Sequence, residues 1–170
     1  LAGVFSSTNV ENCQVIGGTV TWDDTRGSCY LGGLAGDVIG DSTLKDCSST
    51  ADVTAEGTAT SVVYVGGLIG EGYLNTTVDG CTASGNVTMT GDMQDEDTIA
   101  LGGLVGWVTG TAVNSSASGN VSNESTGMAG RIYVGGFAGM LSDPAEDCEA
   151  TGSVNNTGEA ENVYVGEFSG

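Results

Sequence analysis

Five cysteines carry the most reactive side chains of the sequence. Cys13, Cys47 and Cys81 follow one another at intervals of 34 residues, and Cys148 continues the series after a serine at position 115. If these positions stack in neighbouring coils, the thiols lie about 4.8 Å apart and point the same way, which is poor disulfide geometry. The spacing favours small core residues and leaves Cys13 and Cys148, the outermost two, as candidates for crosslinks between copies.

An acidic run offers a second kind of chemistry. Asp92, Asp95, Glu96 and Asp97 supply the oxygen ligands that Ca²⁺ prefers. The run lacks the Asp-x-Asp-x-Asp-Gly pattern of an EF-hand loop. A solvated acidic loop is therefore favoured over a metal site, and Ca²⁺ is the one cofactor that the sequence leaves open.

Six asparagines stand in Asn-x-Ser/Thr sequons, the acceptor pattern for N-glycosylation. They are Asn75, Asn86, Asn114, Asn120, Asn123 and Asn155. Asn86 and Asn120 are the preferred acceptors, because they share one repeat position and are expected to point outward. A chain rich in Asn, Ser and Thr also produces such triplets by chance.

Composition excludes several functions. The 170 residues include 22 Asp and Glu but 3 Lys and Arg and no histidine, for a formal charge of −19. So few cations cannot neutralise a nucleic-acid backbone, so no nucleic-acid partner is expected. Histidine catalysis and histidine-ligated zinc are impossible. No apolar run approaches the roughly 18 residues of a membrane-spanning helix, so no membrane insertion is expected. Nothing places two carboxylates at a glycosidase separation, and we expect no enzyme.

The elements that position these residues form a repeat of about 33 residues. A Gly-Gly-Leu/Phe-x-Gly phrase recurs, with its Leu or Phe at positions 1, 34, 68, 104, 137 and 168, although the last copy has Glu167 for the second glycine and the first copy lacks both. A second phrase alternates with the first, and its fullest form is Asn/Asp-Cys-x-Ala-Ser/Thr-Gly-x-Val. Its Cys or Ser column consists of Cys13, Cys47, Cys81, Ser115 and Cys148.

Together the two phrases resemble the GLUG motif family, and five copies in register cover essentially the whole chain. The family occurs in secreted and cell-surface proteins of bacteria and archaea, including large adhesins and some immunoglobulin-cleaving proteases. The resemblance implies a β-solenoid stalk or binding region rather than a catalytic centre.

Alternation before each Gly-Gly pair predicts a strand with two inward columns. The inward columns are Cys29/Val63/Ile99/Ile132/Val163 and Leu31/Val65/Leu101/Val134/Val165. The Gly-x-Val segment predicts a second strand, and helix signals are nearly absent. The fold class is therefore all-β: a parallel β-helix-like solenoid in one domain, with units of approximately 1–33, 34–67, 68–103, 104–136 and 137–170. A closed ring of units is the alternative.

An aromatic column lies between the two inward ones. Tyr30, Tyr64, Tyr133 and Tyr164 face the other side of the strand. This column is expected either to pack on a second subunit or stack on sugar rings, or to act as a cross-strand ladder within the sheet.

Neither end carries a polar capping unit, although solenoids normally have one. The first unit starts at Leu1, without Met, and we interpret the chain as processed or excised. The last unit ends just after Val163, Tyr164, Val165 and Phe168. These five residues are the candidates for end-to-end assembly; a fragment of a longer protein and closure within the chain are the alternatives.

We therefore expect a non-enzymatic, extracellular or cell-surface structural protein whose copies join end to end into a filament, sheath or surface layer. The alternative is a ligand-binding or stalk module of a large adhesin or secreted protease, with glycans as possible ligands.

Overall fold

The chain winds into five stacked turns of short strands. The computed structural model describes residues 2–25, 27–59, 61–93 and 97–170, and these contain 26 strands and no helix. Glycine and β-branched residues dominate the repeat, and both disfavour helix.

The strands are numbered along the chain. Turn 1 has β1 (Ala2–Ser6), β2 (Asn9–Glu11), β3 (Gln14–Val15), β4 (Thr19–Trp22) and β5 (Cys29–Gly32). Turn 2 has β6 (Ala35–Ile39), β7 (Thr43–Lys45), β8 (Ser48–Ser49), β9 (Asp52–Ala55) and β10 (Val62–Gly66). Turn 3 has β11 (Ile69–Tyr73), β12 (Thr77–Asp79), β13 (Thr82–Ala83), β14 (Val87–Met89), β15 (Asp92–Met93) and β16 (Thr98–Gly102). Turn 4 has β17 (Val105–Val108), β18 (Ala112–Val113), β19 (Ser116–Ala117), β20 (Val121–Asn123) and β21 (Thr126–Gly135). Turn 5 has β22 (Ala138–Leu141), β23 (Ala145–Glu146), β24 (Glu149–Ala150), β25 (Val154–Asn156) and β26 (Glu159–Gly166).

Each turn contributes one strand to each of five parallel sheets. We name them A to E in the order in which a turn visits them. Their strand orders are A, β1-β6-β11-β17-β22; B, β2-β7-β12-β18-β23; C, β3-β8-β13-β19-β24; D, β4-β9-β14-β20-β25; and E, β5-β10-β16-β21-β26. The additional strand β15 pairs with β21. The predicted all-β solenoid is confirmed, and the stack is open rather than a closed ring, since turns 1 and 5 are not paired with each other in the described residues.

Two separate apolar cores run along the stack. The first lies inside sheets A, B and C and contains Leu68, Leu104 and Phe137, all 0% exposed. The second lies between sheets D and E and contains Val63 and Val65 together with Val87 of sheet D. Both predicted inward columns of sheet E therefore face this second core in the middle turns.

The Gly-Gly pair forms the corner between sheets E and A. A Cβ atom on Gly67 would collide with the carbonyl oxygen of Gly103 in the next turn. A Cβ on Gly70, in the first strand after the corner, would collide with the backbone nitrogen of Leu31. Glycine is therefore required both for the turn-to-turn contact and for the close packing of sheet A on sheet E. Over the described ranges, there is no helix long and apolar enough to cross a membrane.

Candidate functional site

Close packing at the Gly-Gly corner brings an aromatic column and an acidic column face to face. Sheet E contributes Tyr30 and Tyr64 from paired positions of adjacent turns. Sheet A contributes Asp37, Glu71 and Trp107, which are consecutive members of one column. We call these five residues the aromatic–acidic corner.

The aromatic rings of the corner are in mutual contact. The ring centroids of Tyr30 and Tyr64 are 5.7 Å apart, and those of Tyr64 and Trp107 are 5.3 Å apart in an edge-to-face arrangement. Tyr73, two residues beyond Glu71, lies 6.0 Å from Trp107. The Tyr64 column has Ala100 in the next turn, and the small alanine leaves room beside Tyr64 for the indole. The carboxylate of Glu71 thus has aromatic neighbours across the corner, in the next turn and along its own strand.

Both carboxylates of the corner are poorly solvated. Glu71 is 8% exposed, and burial, followed by the charge of Asp37, raises its pKa from 4.5 to about 7. Burial also raises the pKa of Asp37. The Oδ1 atom of Asp37 is buried without a hydrogen-bond partner. A like-charged, desolvated pair of this kind is costly unless something neutralises it.

The two end faces of the stack expose residues whose equivalents in the middle turns are core. At the C-terminal end face, Val163 is 44% exposed and Val165 is 51% exposed, whereas the equivalent Ile132 and Val134 are 0% exposed. At the N-terminal end face, formed by turn 1, Val10 and Val20 are half-buried, whereas the equivalent Leu44 and Val53 are 0% exposed. Val4 is also exposed there, but its equivalents are the acidic residues Asp37 and Glu71 rather than core residues. Phe168 is half-buried and stacks on Phe137 with ring centroids 4.7 Å apart. Leu1 lies outside the described residues.

The cysteine column is a ladder of hydrogen-bonded small side chains. Members of this column donate a hydrogen bond to the backbone carbonyl two residues earlier. Cys47 Sγ donates to Lys45 O at 3.3 Å, and Ser115 Oγ donates to Val113 O at 2.7 Å. A serine can therefore replace a cysteine in the fourth turn. Burial raises the pKa of Cys81 to about 12. Cys13 and Cys148, the crosslink candidates, are both half-buried and unpaired.

A column of left-handed residues precedes the cysteine column. Asn12, Asp46, Gly80, Asn114 and Asp147 have φ between 50° and 63°. Asn, Asp and Gly tolerate this conformation best. The Asn or Asp that opens the second phrase occupies this position, and Gly80 replaces it in the third unit. The signal that could have revealed the turn is therefore present in the sequence.

Two of the four residues of the acidic run lie within the described chain. Asp92 lies exposed on β15 and accepts a hydrogen bond from Thr126 Oγ1 at 3.1 Å. Asp97 is 2% exposed. Asp95 and Glu96 lie outside the described residues. In residues 2–25, 27–59, 61–93 and 97–170, no group of three His, Cys, Asp or Glu side chains could hold a metal ion.

Five of the six sequon asparagines are exposed: Asn75, Asn86, Asn114, Asn120 and Asn155. Asn86 Oδ1 accepts the backbone N–H of Asn120, and Asn120 Oδ1 accepts that of Ser153. Asn123 requires a correction, because it is 0% exposed and its Nδ2 donates to Asn156 Oδ1 at 2.7 Å. A glycan has no room there, and a sequon pattern carries no information on burial.

The tyrosine column is uneven in exposure. Tyr30 and Tyr164 are 36% and 46% exposed, whereas Tyr64 is 8% exposed beneath Trp107. Tyr133 and Tyr164 stack with ring centroids 4.8 Å apart and planes 7° apart. The ladder within the sheet is thus present, and Tyr64 offers no free face to a sugar or a second subunit.

The repeat phrases, the left-handed position before each Cys or Ser and the Gly-Gly corner together define the unit. The family model described as "The GLUG motif" matches residues 27–54 and 61–88. Residues 27–54 and 61–88 are thus GLUG motifs, and together they make up about a third of the chain. Comparisons with curated proteins and with solved structures gave no match. The two matched GLUG segments each contain one Cys phrase and the Gly-Gly corner that precedes it, so the matched units are turns of the solenoid.

Proposed function

We propose that this repeat protein is a non-enzymatic structural protein whose copies stack end to end, extending the five sheets from one subunit to the next. The observation that supports the proposal is that apolar columns run from one end face of the stack to the other. The columns that end at Val154, Val163 and Val165 begin in turn 1 at Val20, Cys29 and Leu31. Val20 and Leu31 are half-buried, so a second copy in the same orientation offers apolar partners in register. A head-to-tail contact of this kind generates filaments.

The side chains at the joint also predict how stacking responds to salt. Glu11, Lys45, Asp79, Val113 and Glu146 form one outward column. In a stacked pair, Glu146 of one copy is followed by Glu11 of the next. Like charges directly opposite each other are destabilising. We therefore expect stacking to strengthen as salt screens this repulsion.

One local rearrangement accompanies stacking. Ser169 already pairs with Ala138, and Ala2 is the equivalent of Ser169 in turn 1. The segments 1–3 and 168–170 would thus compete for one position at the joint. Deleting residues 168–170 removes the competitor and should favour stacking.

The surface character supports a location outside the cell or on its surface, which we propose together with the stacking. The chain carries a formal charge of −19 and five exposed sequon asparagines, both of which suit a hydrated, glycosylated exterior. The proposal that the protein is not an enzyme is supported by its thiols, because burial raises the pKa of Cys29 and Cys81 to about 12 and keeps them protonated.

Light scattering over a range of protein concentrations in 0.5 M NaCl tests self-stacking. The wild type should grow in mass with concentration, and Val165→Asp, which places a charge on the end face, should remain a monomer. Leu74→Asp is the matched control, because Leu74 is also 51% exposed but lies on the side of the stack. A wild type that stays monomeric would refute self-stacking and favour the alternative, a stalk segment within a longer solenoid.

A further inference from the structure

The aromatic–acidic corner holds two negative charges that no described residue neutralises. Asp37 Oδ1 has no hydrogen-bond donor, and Glu71 is more than nine-tenths buried without a side-chain hydrogen bond in the described part of the chain. Neither carboxylate forms an ion pair there. Burial and the negative charge of Asp37 shift the pKa of Glu71, and neither Lys45 nor Arg131 contributes to the shift.

The surroundings of the two carboxylates define the chemistry of a ligand. Tyr30, Tyr64 and Trp107 line the corner, and aromatic faces attract organic cations and cover alkyl chains. Hard metal ions prefer six or more oxygen ligands, which two carboxylates among aromatic rings do not supply. The unpaired oxygen of Asp37 needs a hydrogen-bond donor, which a quaternary ammonium lacks.

We propose that the aromatic–acidic corner binds a primary alkylammonium group, with its N–H donors on Asp37 and Glu71 and its alkyl stem against Tyr30 and Trp107. A free diamine and the lysine side chain of another protein share this chemistry. Tyr30 lies on β5 of turn 1, at the N-terminal end face, whereas the two carboxylates belong to turns 2 and 3. The carboxylate pair, which carries the proposal, therefore does not depend on stacking.

Tryptophan fluorescence provides a local reporter of binding. The chain has two tryptophans, and Trp22→Phe leaves Trp107 as the reporter inside the corner. This protein is titrated at pH 8.5 and constant ionic strength with 1,5-diaminopentane, with Nα-acetyl-lysine methylamide and with tetramethylammonium. The two primary amines remain protonated at this pH. Both should change the emission saturably, and tetramethylammonium should not.

The two primary amines also distinguish the source of the ligand. Similar affinities would assign the corner to a lysine side chain, because one ammonium group then suffices. A diamine that binds at least tenfold more tightly would assign it to free diamines, whose second ammonium group meets the acidic surface.

Charge-removing variants test the assignment of the site. Glu71→Gln should weaken binding of the better amine by about tenfold or more, as expected for loss of a hydrogen bond to a charged group. Asp37→Asn should do the same. Glu11→Gln is the matched control, because it removes an exposed carboxylate on sheet B and should change affinity by less than about twofold.

Two outcomes would overturn the proposal. Equal, unsaturable responses to all three cations would show charge screening rather than a site, as would an equal loss in Glu71→Gln and Glu11→Gln. Arg26 lies outside the described residues and is tested separately. If Arg26→Gln tightened binding tenfold, the arginine would itself occupy the corner in the free protein, and an external ligand would not be its function.

Discussion

Replacing Glu71 by glutamine should stabilise the free protein at alkaline pH. In the folded protein the pKa of Glu71 is about 7, whereas the ordinary value for an exposed side chain is 4.5. The folded state therefore binds this proton more tightly than the unfolded state, and the free energy of unfolding falls as the pH rises from 4.5 to about 7. Glutamine removes this loss while keeping the shape of the side chain.

The pKa values set the size of the effect. At about 1.36 kcal/mol per pH unit, the difference between 4.5 and about 7 corresponds to at most about 3.4 kcal/mol. Water at the edge of the corner screens part of this, so we expect about 2 kcal/mol above pH 7.5. At pH 5.5 the advantage of Glu71→Gln should fall to roughly half of that value, because the folded wild type is then mostly protonated.

Urea unfolding followed by tryptophan fluorescence at pH 5.5 and pH 8.5 measures the difference. Asp37 also faces Glu71 and remains in both proteins, and burial raises the pKa values of Tyr30 and Tyr64, so these phenols stay neutral over this range. Glu11→Gln should change the free energy of unfolding by less than about 0.5 kcal/mol at either pH. A Glu71→Gln variant that is no more stable than wild type at pH 8.5, or equally improved at both pH values, would refute the reasoning.

Three further substitutions or measurements test the packing. Gly67→Ala should lower the free energy of unfolding in urea by at least about 2 kcal/mol, because its Cβ would meet the Gly103 carbonyl. Gly3→Ala, with no atom within 4 Å of the added Cβ, should be nearly neutral. Equal losses in the two variants would contradict the role assigned to the corner. Asn123→Ala should lower the urea midpoint by an amount equivalent to about 1–3 kcal/mol, because it leaves the Asn156 amide oxygen without its donor, and an unchanged midpoint would show that this buried pair contributes nothing. In the native protein, iodoacetamide followed by peptide mass analysis should label Cys13 and Cys148 before Cys29, Cys47 and Cys81, which are buried; uniform labelling would mean that the core opens.

Strand order and register could be predicted from the sequence because the repeat itself encodes them. Stacking equivalent positions, such as Val63 on Ile99 and Ile99 on Ile132, reproduces the pairing of sheet E. In a solenoid the nearest neighbour of each residue is its own equivalent one period away. Few alternative pairings compete once the period is known.

Contacts between columns could not be predicted in the same way. The burial of Tyr64 under Trp107 depends on how closely sheet A approaches sheet E, and that distance is set by Gly70 and its equivalents. The period relates turns to each other but gives no angle between the strands of one turn. For the same reason the sequence did not reveal that Asp37 and Glu71 face tyrosines.

Negative-stain electron microscopy of the purified protein in 0.5 M NaCl, with and without reductant, tests the central claim most directly. End-to-end stacking predicts unbranched filaments one solenoid wide that are lost in Val165→Asp and retained in Leu74→Asp. Loss of the wild-type filaments in reductant would show that Cys13 and Cys148 hold the joints. Discrete particles of about the monomer mass, 16.9 kDa, under every condition would contradict self-stacking.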